Sequence, residues 1–239
     1  MKPMACALMI LLLGIAPLQP ADAAVSGTSG TVLVFGGSGQ LGAEIVRALL
    51  ADAREVVVFL RPTSDRARLA GLKLRFVEGD VRVDADVRRA LESEPFQIVI
   101  NALGRSESDA RLYETSGQSI ARWAKATGVQ QVILHSSVGV GKSRAAYPDR
   151  MFAERSSLFR YKKAAEDALI GSGLTYTIIR NAVLRDLPPT APERARLSED
   201  QLSFGVVSRR GLARLTRECI ASAACANRIF HAADPGMAL

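Results

Sequence analysis

The stretch Thr31 to Leu50, TVLVFGGSGQLGAEIVRALL, constrains this chain most. Val32, Leu33, Val34 and Phe35 form an apolar run of strand length. Gly36, Gly39 and Gly42 follow at G-x-x-G-x-x-G spacing. Ile45, Val46, Leu49 and Leu50 then recur at helical spacing. A strand that turns through glycines into a helix presents the unpaired N–H groups of the first helical turn, and the positive end of the helix dipole, to an anion. Gly36 suits the tight turn, Gly39 the close approach of backbone to a pyrophosphate, and Gly42 the packing of helix on strand. The pattern points to a dinucleotide. The competing phosphate loop needs a Lys-Ser/Thr pair, which Leu41-Gly42-Ala43 does not offer; Gly141-Lys142-Ser143 lacks the strand context.

Strand and helix patterns alternate along the rest of the chain. Glu55–Leu60, Leu74–Glu78, Gln97–Ala102, Gln131–Ser136, Thr175–Arg180 and Arg228–Ala232 read as strands. Asp65–Leu72, Asp84–Ser93, Ser108–Thr127, Ser156–Ile170 and Arg209–Ser222 read as helices. Near-continuous apolar strands between helices imply an α/β fold with a parallel sheet covered on both faces. Ligands of such sheets lie beyond the carboxyl ends of the strands, where strand order reverses. After the second strand stands Arg61, where an NAD site places an acid for the ribose 2′-hydroxyl. A guanidinium there suits the 2′-phosphate of NADP, with NAD as the alternative. Gly79-Asp80-Val81, Asn101-Ala102-Leu103-Gly104 and Ser136-Ser137 follow the third, fourth and fifth strands.

The 239 residues carry a net charge of +7, in which arginine predominates. The arginines are scattered and lack aromatic interleaving, so no nucleic-acid surface is expected. His135 and His231 have no metal-ligand company. Lys2, the apolar run Ala5–Ala16 and the triplet Ala21-Asp22-Ala23 have the form of a secretory signal peptide over residues 1–23. The run is too short to span a bilayer comfortably. Export to the periplasm or medium is therefore expected, with no transmembrane segment in the mature protein; an organellar signal or membrane anchor is the alternative. Cys219 and Cys225 then remain, either bridged or as two buried thiols.

The ordered motifs TVLVFGGSGQLG, VVVFLRP, FVEGDV, VINALG, HSSVGVG and YKKAAEDALIGSGLTYTIIRNAVL resemble the extended and atypical short-chain dehydrogenase/reductase family, in particular its NAD(P)H-binding, NmrA-like branch. The resemblance implies one Rossmann-type domain over residues 30–235, a doubly wound sheet of about seven parallel strands, with residues 183–227 forming a small substrate lobe. It implies NAD(P) bound along Gly36, Ser38, Gly39, Gln40, Leu41, Gly42, Arg61, Asp80, Val81, Asn101, Ala102, Leu103 and Gly104. It also implies that Ser136 or Ser137 bonds a substrate oxygen and that Lys162 holds the nicotinamide ribose. The family's Tyr-x-x-x-Lys pair is broken, because position 158 is leucine. Tyr161 points about 100° away from Lys162 on a helix, which leaves Tyr147 as the nearby phenol. Surface i,i+4 pairs, Lys162 with Glu166 and Lys163 with Asp167, are the plainer use of these lysines. The expected activity is an NADP-dependent oxidoreductase or epimerase acting on a small molecule; the alternative is a non-catalytic redox sensor or assembly factor.

Overall fold

The computed structural model describes residues 30–104 and 109–238. The first strand β1 (Thr31–Phe35) turns through Gly36–Gly39 into α1 (Gln40–Ala51). There follow β2 (Val56–Leu60), β3 (Arg75–Glu78), α2 (Asp84–Glu92), β4 (Phe96–Asn101), α3 (Leu112–Ala126) and β5 (Gln131–Ser137). A short α4 (Asp149–Ala153) precedes α5 (Ser156–Gly171) and β6 (Thr175–Asn181). The remainder comprises β7 (Val183–Arg185), β8 (Arg196–Ser198), β9 (Val206–Ser208), α6 (Arg209–Glu218) and β10 (Arg228–Ala233).

The main sheet has eight strands in the order β3-β2-β1-β4-β5-β6-β10-β8, and β8 alone runs antiparallel, at the edge. Strand order reverses between β1 and β4, which are hydrogen-bonded neighbours in register from Val32 opposite Ile98 to Phe35 opposite Asn101. Alternate residues of the central strands feed separate cores on the two faces. On one face Val32, Val34, Ile100 and Ile133 pack with Ile45, Val46 and Leu49 of α1 and Leu212 and Leu215 of α6. On the other, Leu33, Phe35, Val99 and Val132 meet Val87 of α2, Ile120 of α3 and Leu169 of α5. Full burial of each such aliphatic side chain contributes about 1.5–3 kcal/mol.

The structure departs from the sequence expectations in places. The segment Asp65–Leu72 forms only one 3-10 turn, Ala67–Leu69, started by the Asp65 carboxylate accepting from the Ala67 N–H at 2.8 Å. Leu69 is its single buried residue, too little apolar surface to hold a longer helix. Ser108 lies outside the described residues, as do residues 1–29, and α3 begins at Leu112. Within 183–227, β8 joins the main sheet and α6 packs on α1. Val183 and Leu184 of β7, Phe204 before β9 and Arg209 at the start of α6 are the part that lines a cleft at the carboxyl ends of the strands.

The expected Lys162–Glu166 ion pair is absent. Glu166 is buried and accepts two hydrogen bonds from Arg180, from Nε at 3.0 Å and Nη2 at 2.6 Å, while Gln201 takes a third from Nη1 at 2.7 Å. The exposed Lys163–Asp167 pair does form, at 2.5 Å. Removing one member of the buried pair strands the other charge. Glu166→Ala should therefore cost about 3–5 kcal/mol in urea unfolding, while Asp167→Ala changes stability by less than about 0.5 kcal/mol.

Candidate active site

The glycine loop works through what its glycines leave out. Gly36 has φ +78°, and a Cβ there would lie 2.6 Å from the Ala102 carbonyl oxygen, so the first turn rests directly on the chain leaving β4. A Cβ at Gly42 would collide with the Gly36 carbonyl, so α1 sits on the turn that feeds it. Gly39 differs. Its Cβ would meet only the Gly36 oxygen, at 3.2 Å, and the remaining side is open. Gly39 is also the N-cap of α1, where no side chain caps the helix and no acid stands in the first turn. The positive end of α1 is thus left for a bound anion.

This loop forms one wall of a cleft of about 1080 Å³ at the carboxyl ends of the strands. Gly36, Ser38, Gly39, Gln40, Leu41, Arg61, Asp80, Val81, Ala102, Leu103 and Gly104 all line it. Gly42 does not; its role is packing. Asn101 accepts a hydrogen bond from the Leu103 N–H at 3.2 Å and faces a small recess shared with Ser136 and Lys162, so it shapes the wall from behind. Arg61 is exposed, its N–H bonded to Ser64 Oγ at 3.2 Å, and its guanidinium has no hydrogen-bond partner among the described residues. Asp80 accepts from Arg82 Nε at 3.0 Å, and this bond holds its carboxyl below the usual range. Asp80 is thereby engaged with arginine and is a poor substitute for the ribose-binding acid.

A dinucleotide needs an uncapped helix end for its pyrophosphate and a backbone floor beneath its rings. Both are present here, and the sequence profile of the NAD(P)H-binding family matches residues 36–223. The chain belongs to the NAD(P)H-binding family. It is 31% identical over 170 residues to sterol demethylase protein B of Methylococcus capsulatus, covering 64% of this chain and 51% of that one. It is 28% identical over 218 residues to the chloroplastic protein TIC 62 of Oryza sativa, covering 80% and 43%. The chain thus spans about half the length of these curated relatives, or less. Among solved structures, the anaerobilin reductase ChuY of Escherichia coli O157:H7 superposes with a TM-score of 0.76 at 25% identity, over 87% of this chain and 99% of that one.

The other end of this cleft is lined by residues of β5 and α5. Ser136 is buried, lines the cleft, and has an Oγ without a hydrogen-bond partner. Ser137, the other serine expected from sequence, donates to the Val138 carbonyl at 3.0 Å and does not line the cleft. Adjacent strand residues face opposite sides, so of the two only Ser136 faces the cleft. Lys162 lines the cleft with its ammonium 4.2 Å from the centroid of the Tyr113 ring. Burial lowers it from its ordinary 10.5 to about 8, against the opposing pull of Glu166. Tyr147 is buried against Phe159 and Phe204 in edge-on contacts of 4.9 and 5.4 Å, and it too lines the cleft. Tyr161 lies outside the lining, with Arg160 donating to its hydroxyl at 3.2 Å. His135 donates or accepts at Thr216 Oγ1, 3.1 Å away, and burial holds its pKa at about 3, so it is neutral at pH 7.

Sequence reasoning missed Tyr113, whose hydroxyl donates to the Gly104 carbonyl at 2.6 Å and whose ring carries Lys162. Its place after the fourth strand was a usable signal. Arg155 and Arg209 were also missed; both line the cleft, yet they come from separate elements that nothing in the sequence joins.

Two measurements follow from this geometry. Gly39→Val should unfold close to wild type and lose NADPH binding by at least about tenfold, whereas Gly42→Val should fail to fold. Lys162 contributes its positive charge only below its pKa. NADPH affinity should therefore fall as pH rises through about 8, by up to about tenfold, and Lys162→Met should bind weakly with no such step. The same lowered pKa means that the folded chain holds fewer protons than the unfolded chain between pH 8 and 10.5, so this group's cost to stability fades as pH rises through that window.

Proposed function

We propose that the protein is an NADP-dependent reductase of a small molecule bearing a polarised double bond. The observation that carries this is Ser136: a buried hydroxyl with no hydrogen-bond partner among the described residues, lining the cleft. A buried polar group left unbonded costs about 1–3 kcal/mol. The cost is relieved when a ligand oxygen accepts from it. ChuY, an anaerobilin reductase of like fold, supports the reductase reading.

The residues present fit NAD(P)(H). The amides of Ser38 to Leu41 at the start of α1 would hold the pyrophosphate, Arg61 the 2′-phosphate, and Lys162 the nicotinamide ribose hydroxyls. When bound, the reduced nicotinamide would supply a hydride, one proton with two electrons, to the substrate. Ser136 donates a hydrogen bond to the substrate oxygen or nitrogen as negative charge grows there. Tyr147, or water held beside it, delivers the proton. Leu158 stands where the family's tyrosine would, and the phenol of Tyr147 reaches the cleft from the loop after β5 instead. Phe159 and Phe204 pack edge-on against the Tyr147 ring and hold it in place.

We further propose that the protein is exported. The Cys219–Cys225 disulfide supports this, because such bonds persist in oxidising compartments. Protein taken from its native host should show no free thiol at either position and a mass beginning near Ala24.

A steady-state assay with NADPH tests the chemistry. Ser136→Ala should lower kcat by about 10²-fold, and Tyr147→Phe should lower it by about 10²-fold or more if it is the acid. Tyr161→Phe should leave kcat within twofold. Arg61→Ala should cut the preference for NADPH over NADH by about tenfold or more. A reductase indifferent to Ser136 would contradict the assignment.

A further inference from the structure

The two ends of the cleft differ in charge and polarity. At the nucleotide end the acids Asp80 and Asp109 stand beside Arg82. At the other end the wall is apolar: Tyr147, Met151, Val183, Leu184 and Phe204. No Asp or Glu lines that end among the described residues, yet two arginines do, Arg155 and Arg209.

Each guanidinium has donors to spare. Arg155 is exposed at its position before α5, and its guanidinium makes no hydrogen bond or ion pair among the described residues. The helix that follows has no side-chain cap and no acid in its first turn, which adds positive potential at the same place. Arg209 is mostly buried. It gives one bond from Nη1 to the exposed Asp186 carboxylate at 2.9 Å, and a guanidinium has five N–H donors. A neutral apolar ligand filling this end would strip water from both charges without replacing it, at a cost. An anionic group beside either guanidinium would answer its spare donors, in bidentate geometry.

We propose that the substrate end of the cleft takes an apolar body carrying an anionic group, a carboxylate or a phosphate, held by Arg155 and Arg209. This rests on the reductase reading, since it names the substrate class of that same site. The anion sets the reach of the substrate. With its charge at the rim and its apolar body along the Tyr147–Phe204 wall, the far end lies toward Ser136 and Lys162.

Two dyes of similar size test this on the full chain saturated with NADPH: anionic 8-anilinonaphthalene-1-sulfonate and neutral N-phenyl-1-naphthylamine. Arg155→Gln and Arg209→Gln should each weaken the anionic dye by about tenfold, a loss of about 1.4 kcal/mol, and leave the neutral dye within twofold. Decanoate or decyl phosphate should displace the anionic dye while decanol does not, and the better of the two identifies the anion. Equal displacement by decanol, or dye affinities unmoved by both substitutions, would overturn the proposal. NADPH affinity, read in a separate dye-free titration by nicotinamide fluorescence, separates the two readings. Loss of NADPH binding in wild type would sink the reductase reading, whereas intact NADPH binding with indifferent arginines sinks the anion alone.

Discussion

The approach of α1 to the turn that precedes it is the contact on which the site depends. Gly42 rests on the Gly36 carbonyl, and Gly36 rests on the Ala102 carbonyl. Three pieces of backbone therefore meet with no side chain between them, at the point where strand order reverses. Any Cβ in either glycine would push the helix off the sheet. Because the helix end is so placed, its unpaired N–H groups look across the strand termini rather than into bulk water. The rest of the nucleotide wall, from Arg61 to Gly104, is arranged around that fixed end.

A second dependency runs through Arg180 and Glu166. These two, on β6 and α5, are buried together and exchange two hydrogen bonds. Arg180 thereby occupies the carboxylate that Lys162 would otherwise hold at helical spacing. Lys162 is turned over to the Tyr113 ring and the cleft, where burial lowers its proton affinity. An ammonium near the operating pH is a better adjustable charge than one locked in an ion pair. The buried pair thus acts on the site at one remove, by leaving the lysine available.

Much of this was legible in the sequence, for identifiable reasons. The β-α alternation, the glycine spacing and the residues after each strand depend on local pattern, and the structure returns them as the sheet order, the α1 end and one wall of the cleft. What was illegible depends on pairings between distant segments. The spacing of Lys162 and Glu166 suggested a surface pair, because nothing local shows that Arg180 arrives from β6. The choice between Ser136 and Ser137 needed the facing of β5. Arg155 and Arg209 precede α5 and open α6, and only the folded chain brings both to the lining of one cleft. The segment at 65–72 shows the reverse failure. It read as a helix, but with one buried leucine it stays a single turn.

The central claim is that the uncapped start of α1 and the chain after β4 together grip a dinucleotide. Amide hydrogen exchange with and without NADPH tests it most directly, because it reads the backbone groups themselves. The account predicts slowed exchange over residues 36–42 and 101–104 on adding NADPH, with little change along the far edge strands. NADPH binding that left the amides of Ser38 to Leu41 exchanging at their unliganded rate would contradict it.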